Sequence, residues 1–398
     1  MTQAQVNIGV VGHVDHGKTT LTKALTGKWT DTHSEEVKRG ITIKLGYADV
    51  EFKKCSKCEK FYSMGGCPCG GSGETVRKVS FIDAPGHETL MATVVAASSI
   101  MDGALFVIAA NEQCPQPQTT EHLMVLEAAG IRNVVIVQNK IDLVTREKAL
   151  ENYNQIREFL KGSSIENASI VPVVANSGAN LSALIGAIED AIPTPKHGEG
   201  DALMYLARSF DINKPGAKVA ELVGGVVGGS IKQGVLRVGD EVKISPGARR
   251  ERKGKESYDE LSTRVLGLHA GSEALQEARP GGLIAVATDL DPSLAKGDAL
   301  VGCLLGKALP QPKSELRLRI TVLPRPIEKF AETYVEDEPL VLGIGTATTL
   351  GFVVEQKKKT GVKLALKKPV CVNAGDKVAV MRRANNRWRL YATAGVIE

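Results

Sequence analysis

The chain has 398 residues, and its hydrophobic content of 43% is typical of a folded globular protein rather than a disordered one. This length predicts two or three domains with cores of their own. No apolar stretch approaches the ~20 residues needed to cross a bilayer, and residues 1–5 lack the pattern of a secretion signal, so a cytoplasmic protein is expected. The formal net charge of +5 permits an acidic partner such as RNA but does not establish one.

Residues 1–192 alternate strand and helix patterns, which predicts an α/β domain with a doubly wound, mostly parallel sheet. One insertion, residues 26–48, follows the first helix, and a cysteine-rich segment follows that insertion. A polar Pro/Gly linker, residues 193–200, ends the domain. The predicted strands are residues 6–11, 79–83, 104–109, 134–137 and 170–174, and the predicted helices include residues 119–129, 147–160 and 181–191.

Beyond the linker, short β-like runs are separated by turn signals roughly every ten residues, which predicts two small antiparallel β-barrels. A Pro310-Gln-Pro312 sequence suggests the break between them. The predicted domains are therefore residues 1–198, 199–313 and 314–398. The predicted turns include residues 224–225, 228–229, 239–240, 246–247, 280–282 and 375–376.

Residues 12–19 read Gly-His-Val-Asp-His-Gly-Lys-Thr and match the phosphate-binding pattern G-x-x-x-x-G-K-[ST]. They follow an apolar run and open a helical stretch, which is the context that this pattern requires. Lys18 is expected to reach the β- and γ-phosphates of a nucleotide, and the Thr19 hydroxyl is expected to ligate magnesium. The predicted nucleotide-binding residues of this phosphate loop and its helix are Asp15, His16, Gly17, Lys18, Thr19 and Thr20.

Two further motifs complete the predicted nucleotide site. Asp83-Ala-Pro-Gly86 ends an apolar strand, where the Asp83 carboxylate can hold magnesium and the Gly86 N–H can meet the γ-phosphate. Asn139-Lys140-Ile-Asp142 ends another strand, and the Asp142 carboxylate can accept hydrogen bonds from guanine N1–H and the 2-amino group. Adenine lacks this pair of donors, so the motif favours GTP over ATP.

Four of the seven cysteines cluster, in the spacing C-x-x-C, eight residues, C-x-C. In a cytosolic chain such a cluster is more typical of metal ligands than of disulfides. The glycines nearby allow the tight turns that aim thiolates at one tetrahedral zinc ion. The second pair has one intervening residue where two are usual, so a loop of reduced cysteines stays the alternative. The predicted zinc ligands in this cysteine knuckle (residues 53–75) are Cys55, Cys58, Cys67 and Cys69.

The nucleotide motifs, with His87 directly after Gly86, resemble those of the translational GTPases related to elongation factor Tu. Further strings narrow the resemblance, over nearly the whole chain, to the gamma subunits of archaeal and eukaryotic translation initiation factor 2. The cysteine knuckle after the first switch is shared with archaeal members. These strings are residues 29–36, 39–47, 110–112, 115–119, 208–216 and 387–390.

The resemblance implies a GTPase domain followed by two β-barrels, with GTP or GDP and Mg²⁺ as ligands. It also implies a heterotrimer in which this chain is the core, with an alpha subunit on the second domain and a beta subunit on the first. The implied activity is GTP-dependent carriage of initiator methionyl-tRNA to the small ribosomal subunit. Hydrolysis is expected to be slow until a GTPase-activating partner stimulates it.

The resemblance also assigns roles to single residues. Thr42 takes the position in the first switch whose hydroxyl reaches magnesium when GTP is bound, and His87 takes the position that orients the attacking water. With Lys18, these two are the expected catalytic residues. Asp15 is expected to help hold the metal, and Tyr47 is expected to lie near the aminoacyl end of the tRNA.

The chain departs from the family pattern in the last guanine-contacting motif, which usually reads Ser-Ala but here reads Val174-Ala175-Asn176. The Ala175 N–H can still meet guanine O6. The serine hydroxyl that braces the loop is missing, which predicts looser nucleotide binding. Two other functions remain open: a tRNA-carrying GTPase of the elongation type, and a scaffold that holds GTP without catalysis.

The last predicted domain carries a basic surplus, with 15 Lys/Arg against 9 Asp/Glu in residues 314–398. This surplus forms either a solvated face or a face for RNA. Trp388 is either a core residue of the barrel or a residue on which RNA bases stack. The arginines around it are Arg382, Arg383, Arg387 and Arg389.

Overall fold

A computed structural model describes residues 3–30, 45–196, 198–214, 216, 222–252, 254–357 and 361–397. The chain divides into two compact units, Gln3–Pro195 and Lys196–Glu398. Within the described part of the chain, no helix combines the length and the apolar character needed to cross a bilayer. The predicted switch residue Thr42 lies outside the described residues.

The first unit contains one seven-stranded sheet, with the strand order β3-β2-β4-β1-β5-β6-β7. Its strands are β1 (Asn7–Val11), β2 (Gly46–Cys55), β3 (Phe61–Tyr62), β4 (Gly73–Asp83), β5 (Gly103–Ala109), β6 (Val134–Asn139) and β7 (Ile170–Pro172). The strands β4, β1, β5, β6 and β7 each pair in parallel with their neighbours in this group. This pairing confirms the predicted doubly wound, mostly parallel sheet. Strands β2 and β3 are antiparallel, and this edge hairpin carries the cysteine knuckle.

The predicted helices of the first unit are confirmed, with starts that differ by at most two residues. Helix α3 opens with a proline, which suits a first turn because its missing N–H would have no helical acceptor. In α4, the Thr145 side chain accepts a hydrogen bond from the Lys148 N–H and caps the helix. The helices are α1 (Lys18–Thr26), α2 (Met91–Ser98), α3 (Pro117–Ala129), α4 (Arg146–Leu160) and α5 (Leu181–Ala191).

The central strands of this sheet are buried along their whole length. Every residue of β1, β5 and β6 is buried, as expected for parallel strands that are covered on both faces. The carboxyl ends of parallel strands meet at one edge of a sheet, and ligands bind there in open α/β folds. The phosphate loop, Asp83 and Asn139 all follow or end such strands, so the fold brings the three predicted motifs to the same edge.

The second unit begins with a closed ring of six strands in the order β11-β16-β8-β9-β15-β12, closed by pairing of β12 with β11. Strand β13 adds to β12, and β10 pairs with β14. A short helix, α6 (Pro292–Ala295), follows β15. The strands are β8 (Leu203–Phe210), β9 (Val226–Gln233), β10 (Leu236–Arg237), β11 (Glu241–Arg252), β12 (Lys255–Ala270), β13 (Glu273–Leu275), β14 (Glu277–Ala278), β15 (Ile284–Thr288) and β16 (Leu304–Gly306).

A second closed barrel follows, in the order β17-β20-β19-β18-β21-β22, with every neighbouring pair antiparallel. The two barrels confirm the predicted fold class, while the domain limits at residues 198 and 313 stay predictions. The strands are β17 (Pro312–Val322), β18 (Pro339–Ile344), β19 (Ala347–Lys357), β20 (Gly361–Cys371), β21 (Lys377–Ala384) and β22 (Arg387–Val396).

Two of the predicted turns are wrong, because their glycines lie inside strands. Residues 228–229 belong to β9, where a Cβ at Gly229 would collide with the Tyr205 carbonyl of the neighbouring strand. Residues 246–247 belong to β11, where the register shifts between Ile244 and Ala248 and Gly247 has a φ of 89°. Glycine inside a strand marks a close backbone approach or a bulge, and a turn signal alone cannot distinguish these from a chain reversal.

Candidate nucleotide site and cysteine knuckle

The phosphate loop joins β1 to α1 in the predicted strand–loop–helix arrangement. Gly17 has a φ of 88°, in the left-handed region that favours glycine, and α1 begins at the next residue. The Lys18 side chain turns back over the loop, and its Nζ donates to the His13 carbonyl over 2.7 Å. Asp15 is exposed, and Thr20 is half-buried in the first turn of α1. A helix N-terminus and an ammonium group on one loop form a site for an anion.

Asp83 ends β4 beside this loop, and its side chain is buried. Its Oδ2 atom accepts hydrogen bonds from Thr19 Oγ1 and from Thr30 Oγ1, each over 2.7 Å. A carboxylate with two hydroxyl oxygens is a hard oxygen donor set of the kind that Mg²⁺ prefers, so these residues fit the predicted metal. Sequence reasoning missed Thr30, because no nucleotide-binding pattern includes a residue four positions after the end of the first helix.

Gly86 lies directly against the phosphate loop. A Cβ atom at this position would stand 2.9 Å from Gly12 O and from Val14 N, and it would also collide with Lys18 Nζ. Any side chain here would displace the loop, so the position requires glycine. The backbone of the second switch (Gly86 onward) therefore lies beside the ammonium group that is predicted to hold the terminal phosphates.

His87 follows at the start of a short 3-10 turn and is half-buried. Its Nδ1 atom lies 2.8 Å from Thr89 Oγ1 and accepts a hydrogen bond from the Thr89 N–H over 3.3 Å. A backbone N–H can only donate, so Nδ1 is the acceptor and a neutral His87 carries its proton on Nε2. The Nε2–H group is then the part of the ring that can bind a water molecule.

Asn139 connects the base-recognition motifs to the phosphate loop. Its Nδ2 donates to the His16 carbonyl over 2.9 Å, and its Oδ1 accepts from the Ala175 N–H over 3.1 Å. Lys140 has a φ of 61°, and Asp142 lies in the short helix that follows, with an exposed side chain that is open to a ligand. The Ala175 N–H already has an acceptor in Asn139, which the sequence did not indicate. The predicted contact of the Ala175 N–H with guanine O6 stays a prediction.

The loop that carries Ala175 has a brace that the sequence did not reveal. Val174 and Ala179 exchange two backbone hydrogen bonds of 3.2 Å each. These bonds close the loop without the serine hydroxyl that the family motif usually provides. The structure therefore offers a reason why Val174 can stand at this position.

Two histidines near the phosphate loop are buried and neutral. His16 Nδ1 lies 3.1 Å from the Val107 carbonyl and Nε2 lies 3.3 Å from Glu112 Oε2, yet burial dominates and lowers the pKa of His16 to about 4. Burial also lowers the pKa of His122, in α3, to about 3. The predicted site residue His16 thus contributes its backbone carbonyl to Asn139, while its ring is held against β5.

Tyr47 is the residue predicted to lie near the aminoacyl end of the tRNA. It lies in β2, opposite Ile82 of β4, and is half-buried. The preceding residue, Gly46, is paired with Asp83 of β4. The tRNA contact itself stays a prediction.

The four clustered cysteines converge on one point, and their Sγ atoms all lie within 4.8 Å of one another. The Cys55–Cys69, Cys58–Cys67 and Cys67–Cys69 sulfur pairs are 3.5, 3.4 and 3.3 Å apart. A tetrahedral zinc ion with Zn–S bonds of about 2.3 Å separates its sulfurs by about 3.8 Å. The donor set fits zinc, so the short spacing of the second cysteine pair does not prevent convergence.

The thiols of the knuckle differ in their protonation. A hydrogen bond from the Cys58 backbone lowers the pKa of Cys55 to about 6. A hydrogen bond from the Cys69 backbone lowers the pKa of Cys67, but burial and the neighbouring thiols outweigh it and raise that pKa to about 12. This divergence is expected when several thiols share a small volume without a cation, because they cannot all ionise together.

The cysteine knuckle packs on two helices of the first unit. Gly27 is the C-cap residue of α1. The Met64 side chain lies so close to it that a Cβ at Gly27 would collide with Met64. Phe61 lies against Gly186 of α5, 3.4 Å from the position that a Cβ would take. The knuckle therefore packs on α1 and α5 at points away from the phosphate loop itself.

Arg382 is not part of an exposed basic face. It is buried, its Nη2 lies 3.0 Å from Glu338 Oε2, and it also donates to the Thr333 carbonyl over 2.9 Å. Trp388 is half-buried in β22, opposite Arg383 of β21. The Arg382 guanidinium lies over three aromatic rings, those of Phe330, Tyr334 and Tyr391.

Three family models match the chain, one for each part of the fold. The elongation factor Tu GTP binding domain matches residues 3–194, and elongation factor Tu domain 2 matches residues 224–305. The model described as initiation factor eIF2 gamma, C terminal, matches residues 314–396.

Curated relatives match over nearly the full length. Translation initiation factor 2 subunit gamma of Methanococcus vannielii is 53% identical over 399 residues, which cover 98% of this chain and 97% of the relative. The subunit of the same name from Pyrococcus horikoshii is 54% identical over 396 residues, which cover 98% of this chain and 96% of the relative.

Solved structures of elongation factors share the fold. The bacterial selenocysteine-specific elongation factor EF-Sec has a TM-score of 0.75 and 25% identity over 100% of this chain, which spans 58% of that longer protein. Elongation factor SelB from Methanococcus maripaludis, solved with the GTP analogue GppNHp, has a TM-score of 0.73 and 23% identity. The match covers 100% of this chain and 80% of that protein. At 23% identity the second similarity shows the fold alone.

Together, the parallel sheet, the three nucleotide motifs at its edge and the two following barrels define a translational GTPase of the elongation factor Tu type, a hydrolase whose family uses GTP or GDP and Mg²⁺. The relatives then distinguish initiation from elongation. The chain belongs to the family of gamma subunits of translation initiation factor 2, so it is a translational GTPase of initiation.

Proposed function

We propose that the chain is the GTP-binding core of a heterotrimeric initiation factor that carries initiator methionyl-tRNA to the small ribosomal subunit in the cytoplasm. The observation that carries this proposal is the bonding of three distant motifs into one site. Asn139 bonds both the phosphate loop and the Ala175 loop, while Thr19 bonds Asp83. Such a site can detect whether a γ-phosphate is present and can transmit that state to the second switch.

The proposed recognition of the nucleotide divides between backbone and side chains. The phosphate-loop N–H groups and Lys18 bind the phosphates, and the Asp142 carboxylate accepts from guanine. Lys18 must then exchange its bond with the His13 carbonyl for bonds with phosphate oxygens. This exchange keeps the ammonium group hydrogen-bonded in both states, so nucleotide binding does not have to compensate for a buried, unpaired charge.

The proposed chemistry is attack of water on the γ-phosphorus of GTP, which breaks the bond to the β–γ bridging oxygen and yields GDP, inorganic phosphate and a proton. His87 Nε2 holds the water, while Lys18 and the Gly86 N–H stabilise the charge on the phosphate oxygens. Thr19, Asp83 and Thr42, with help from Asp15, hold Mg²⁺, which neutralises phosphate charge when it is bound. Loss of the γ-phosphate releases the contacts at Thr42 and Gly86, and the switches then relax.

The partners belong to the same proposal. The alpha subunit binds the second domain, residues 199–313, and the beta subunit binds the first, residues 1–198. A GTPase-activating partner stimulates a slow intrinsic hydrolysis. Tyr47 lies near the aminoacyl end of the tRNA, and zinc is held by the four thiolates of the cysteine knuckle.

The test of this function is tRNA binding in two nucleotide states. The chain, assembled with its alpha and beta subunits, is titrated with initiator methionyl-tRNA in the presence of Mg²⁺ and either GppNHp or GDP. We expect binding at least about tenfold tighter with GppNHp, a difference of about 1.4 kcal/mol. Equal affinity in the two states would reject the proposed switch.

Two controls sharpen this experiment. Charged elongator tRNA tests whether the complex selects the initiator, and we expect weaker binding of that tRNA in both states. Thr42→Ala should spare GDP binding, because its proposed metal contact belongs to the GTP state, and should reduce the gain in initiator affinity with GppNHp. A variant that retains the full gain would contradict the role of Thr42.

A further inference from the structure

Thr30 lies where two motifs of the nucleotide site meet, although it belongs to neither of them. It is half-buried, and its Oγ1 atom donates to Asp83 Oδ2 over 2.7 Å. Thr19 Oγ1, in the first turn of α1, donates to the same oxygen over 2.7 Å. Two hydroxyl groups from different segments therefore converge on one oxygen of a carboxylate that is buried at the end of β4.

The close approach of Thr30 to this carboxylate requires glycine at position 46. Gly46 is the first residue of β2 and is paired with Asp83 in β4. A Cβ atom at Gly46 would stand 2.5 Å from Thr30 Cβ. Carbon atoms that are not bonded to each other rest about 3.5 Å or more apart, so any side chain here would displace Thr30. The backbone of β2 thus packs directly on Thr30 and supports the position from which its hydroxyl reaches Asp83.

The orientation of the Asp83 carboxylate depends on hydrogen bonds of this kind. The torsion that turns a carboxylate about its Cβ–Cγ bond is broad, so the rotamers of the side chain do not define one orientation. Two donors on Oδ2, one from each threonine, restrict this rotation. Mg²⁺ demands near-ideal octahedral geometry, so a carboxylate held in one orientation binds the ion more tightly than one that rotates.

We propose that Thr30 is a positioning residue for Mg²⁺, whose hydroxyl holds the Asp83 carboxylate in the orientation that binds the ion. Thr19 is itself expected to ligate Mg²⁺, whereas Thr30 acts on the ion through Asp83. Loss of the Thr30 hydroxyl frees the carboxylate to rotate and weakens Mg²⁺, but it leaves the groups that bind the base and the phosphates unchanged. The inference rests on the proposed function, in which Asp83 holds Mg²⁺.

The test measures the affinity for Mg²⁺ and the Mg²⁺-free affinity for nucleotide separately. The full-length chain is bound to fluorescent GDP in Mg²⁺-free buffer and is then titrated with Mg²⁺. GDP is used because the proposed metal contact of Thr42 belongs to the GTP state. Thr30→Val keeps the shape of threonine without its hydroxyl, and we expect it to weaken Mg²⁺ at least about tenfold, as loss of a group that orients a metal ligand does. Its GDP affinity without Mg²⁺ should stay within about twofold of wild type.

Two further variants test whether the hydroxyl and its position cause this loss. Thr30→Ser keeps the hydroxyl and should bind Mg²⁺ within about threefold of wild type. Gly46→Ala keeps both hydroxyls but displaces Thr30, so we expect it to weaken Mg²⁺. The double variant with Thr30→Val should lose no more Mg²⁺ affinity than the weaker-binding single variant, because both changes remove one bond. Additive losses would show that Gly46 and Thr30 act independently, which would contradict the inference.

The outcomes separate this inference from the proposal on which it rests. Wild-type Mg²⁺ affinity in Thr30→Val would overturn it. An equal loss in Thr30→Ser, or a comparable loss of Mg²⁺-free GDP affinity in Thr30→Val, would also overturn it, since either result indicates altered packing. If Asp83→Asn, measured beside them, binds Mg²⁺ normally, the proposed role of Asp83 fails. If Asp83→Asn loses Mg²⁺ affinity and Thr30→Val keeps it, the inference alone fails.

Discussion

The nucleotide site and the cysteine knuckle lie in the same unit but are held together in different ways. Side chains and backbone groups from distant parts of the sheet edge already bond one another in the nucleotide site, as Asn139 bonds His16 and Ala175. The knuckle brings four thiols together on a glycine-rich hairpin with few buried apolar residues. The difference shows that one site is organised by the core of the fold, whereas the other depends on what the thiols bind.

The largest expected effect concerns Asp142, whose exposed side chain is open to a ligand. Asp142→Asn should weaken GTP and GDP at least about a hundredfold, because guanine donors lose their acceptors and a few kcal/mol are lost. The variant should instead favour xanthosine triphosphate, whose 2-oxo group needs a donor. Competition binding of the two nucleotides measures this exchange, and unchanged GTP affinity would contradict the role of Asp142.

Removal of the expected zinc ion tests the cysteine knuckle. We expect about one zinc ion per chain, and we expect chelation to increase amide hydrogen exchange across residues 53–75 by roughly tenfold or more, because metal binding there is local folding. Elemental analysis and exchange mass spectrometry measure the two quantities. Protein prepared without a chelator that contains no zinc and has four titratable thiols in this segment would reject the metal site.

Two buried histidines, His16 and His122, make the first unit sensitive to acid. Burial lowers the pKa of His122 to about 3, against about 6.5 when unfolded, so the unfolded state binds more protons below pH 6.5. Stability is therefore complete above pH 6.5 and decreases as the pH falls, by about 2 kcal/mol at pH 5 from His122, and the lowered pKa of His16 adds a loss of the same sign. Thermal unfolding between pH 7.5 and 5 measures this slope, and His122→Phe should reduce it; an unchanged slope would show that other groups cause it.

The smallest expected effect concerns the two backbone hydrogen bonds that close the loop around Ala175. Val174→Ser restores the hydroxyl of the family motif, but the backbone bonds between Val174 and Ala179 already close the loop. We therefore expect GTP affinity to change by less than about fivefold, since one hydrogen bond contributes about 1 kcal/mol. A gain of tenfold or more would show that the backbone brace does not replace the serine.

The predicted nucleotide motifs come together in the structure where each motif coincides with the end of a strand. Lys18, Asp83 and Asn139 each end or follow a strand of the parallel sheet, and the fold necessarily brings those ends together. Thr30 could not be predicted, because its importance lies in a contact with Asp83, which is far away in sequence. No local pattern encodes such contacts.

In the barrels, too, local sequence patterns did not predict every structural detail. Their presence followed from short β-like runs and turn signals, but the glycines at 229 and 247 lie within strands rather than at turns. Arg382 lies close in sequence to Arg383, Arg387 and Arg389, yet alternation along β21 directs it inward to Glu338. Side-chain direction depends on register, and register depends on pairing partners that a single strand does not reveal.

The central claim is that the fold assembles a guanine-specific site independently of the zinc ion proposed for the knuckle. Its most direct test is calorimetric titration of Mg²⁺-bound GDP and ADP into the protein before and after zinc chelation. We expect GDP to bind at least about a thousandfold more tightly than ADP in both preparations, because ADP leaves the polar groups of the base site unpaired. Similar affinities for GDP and ADP, or GDP binding that disappears with zinc, would contradict the claim.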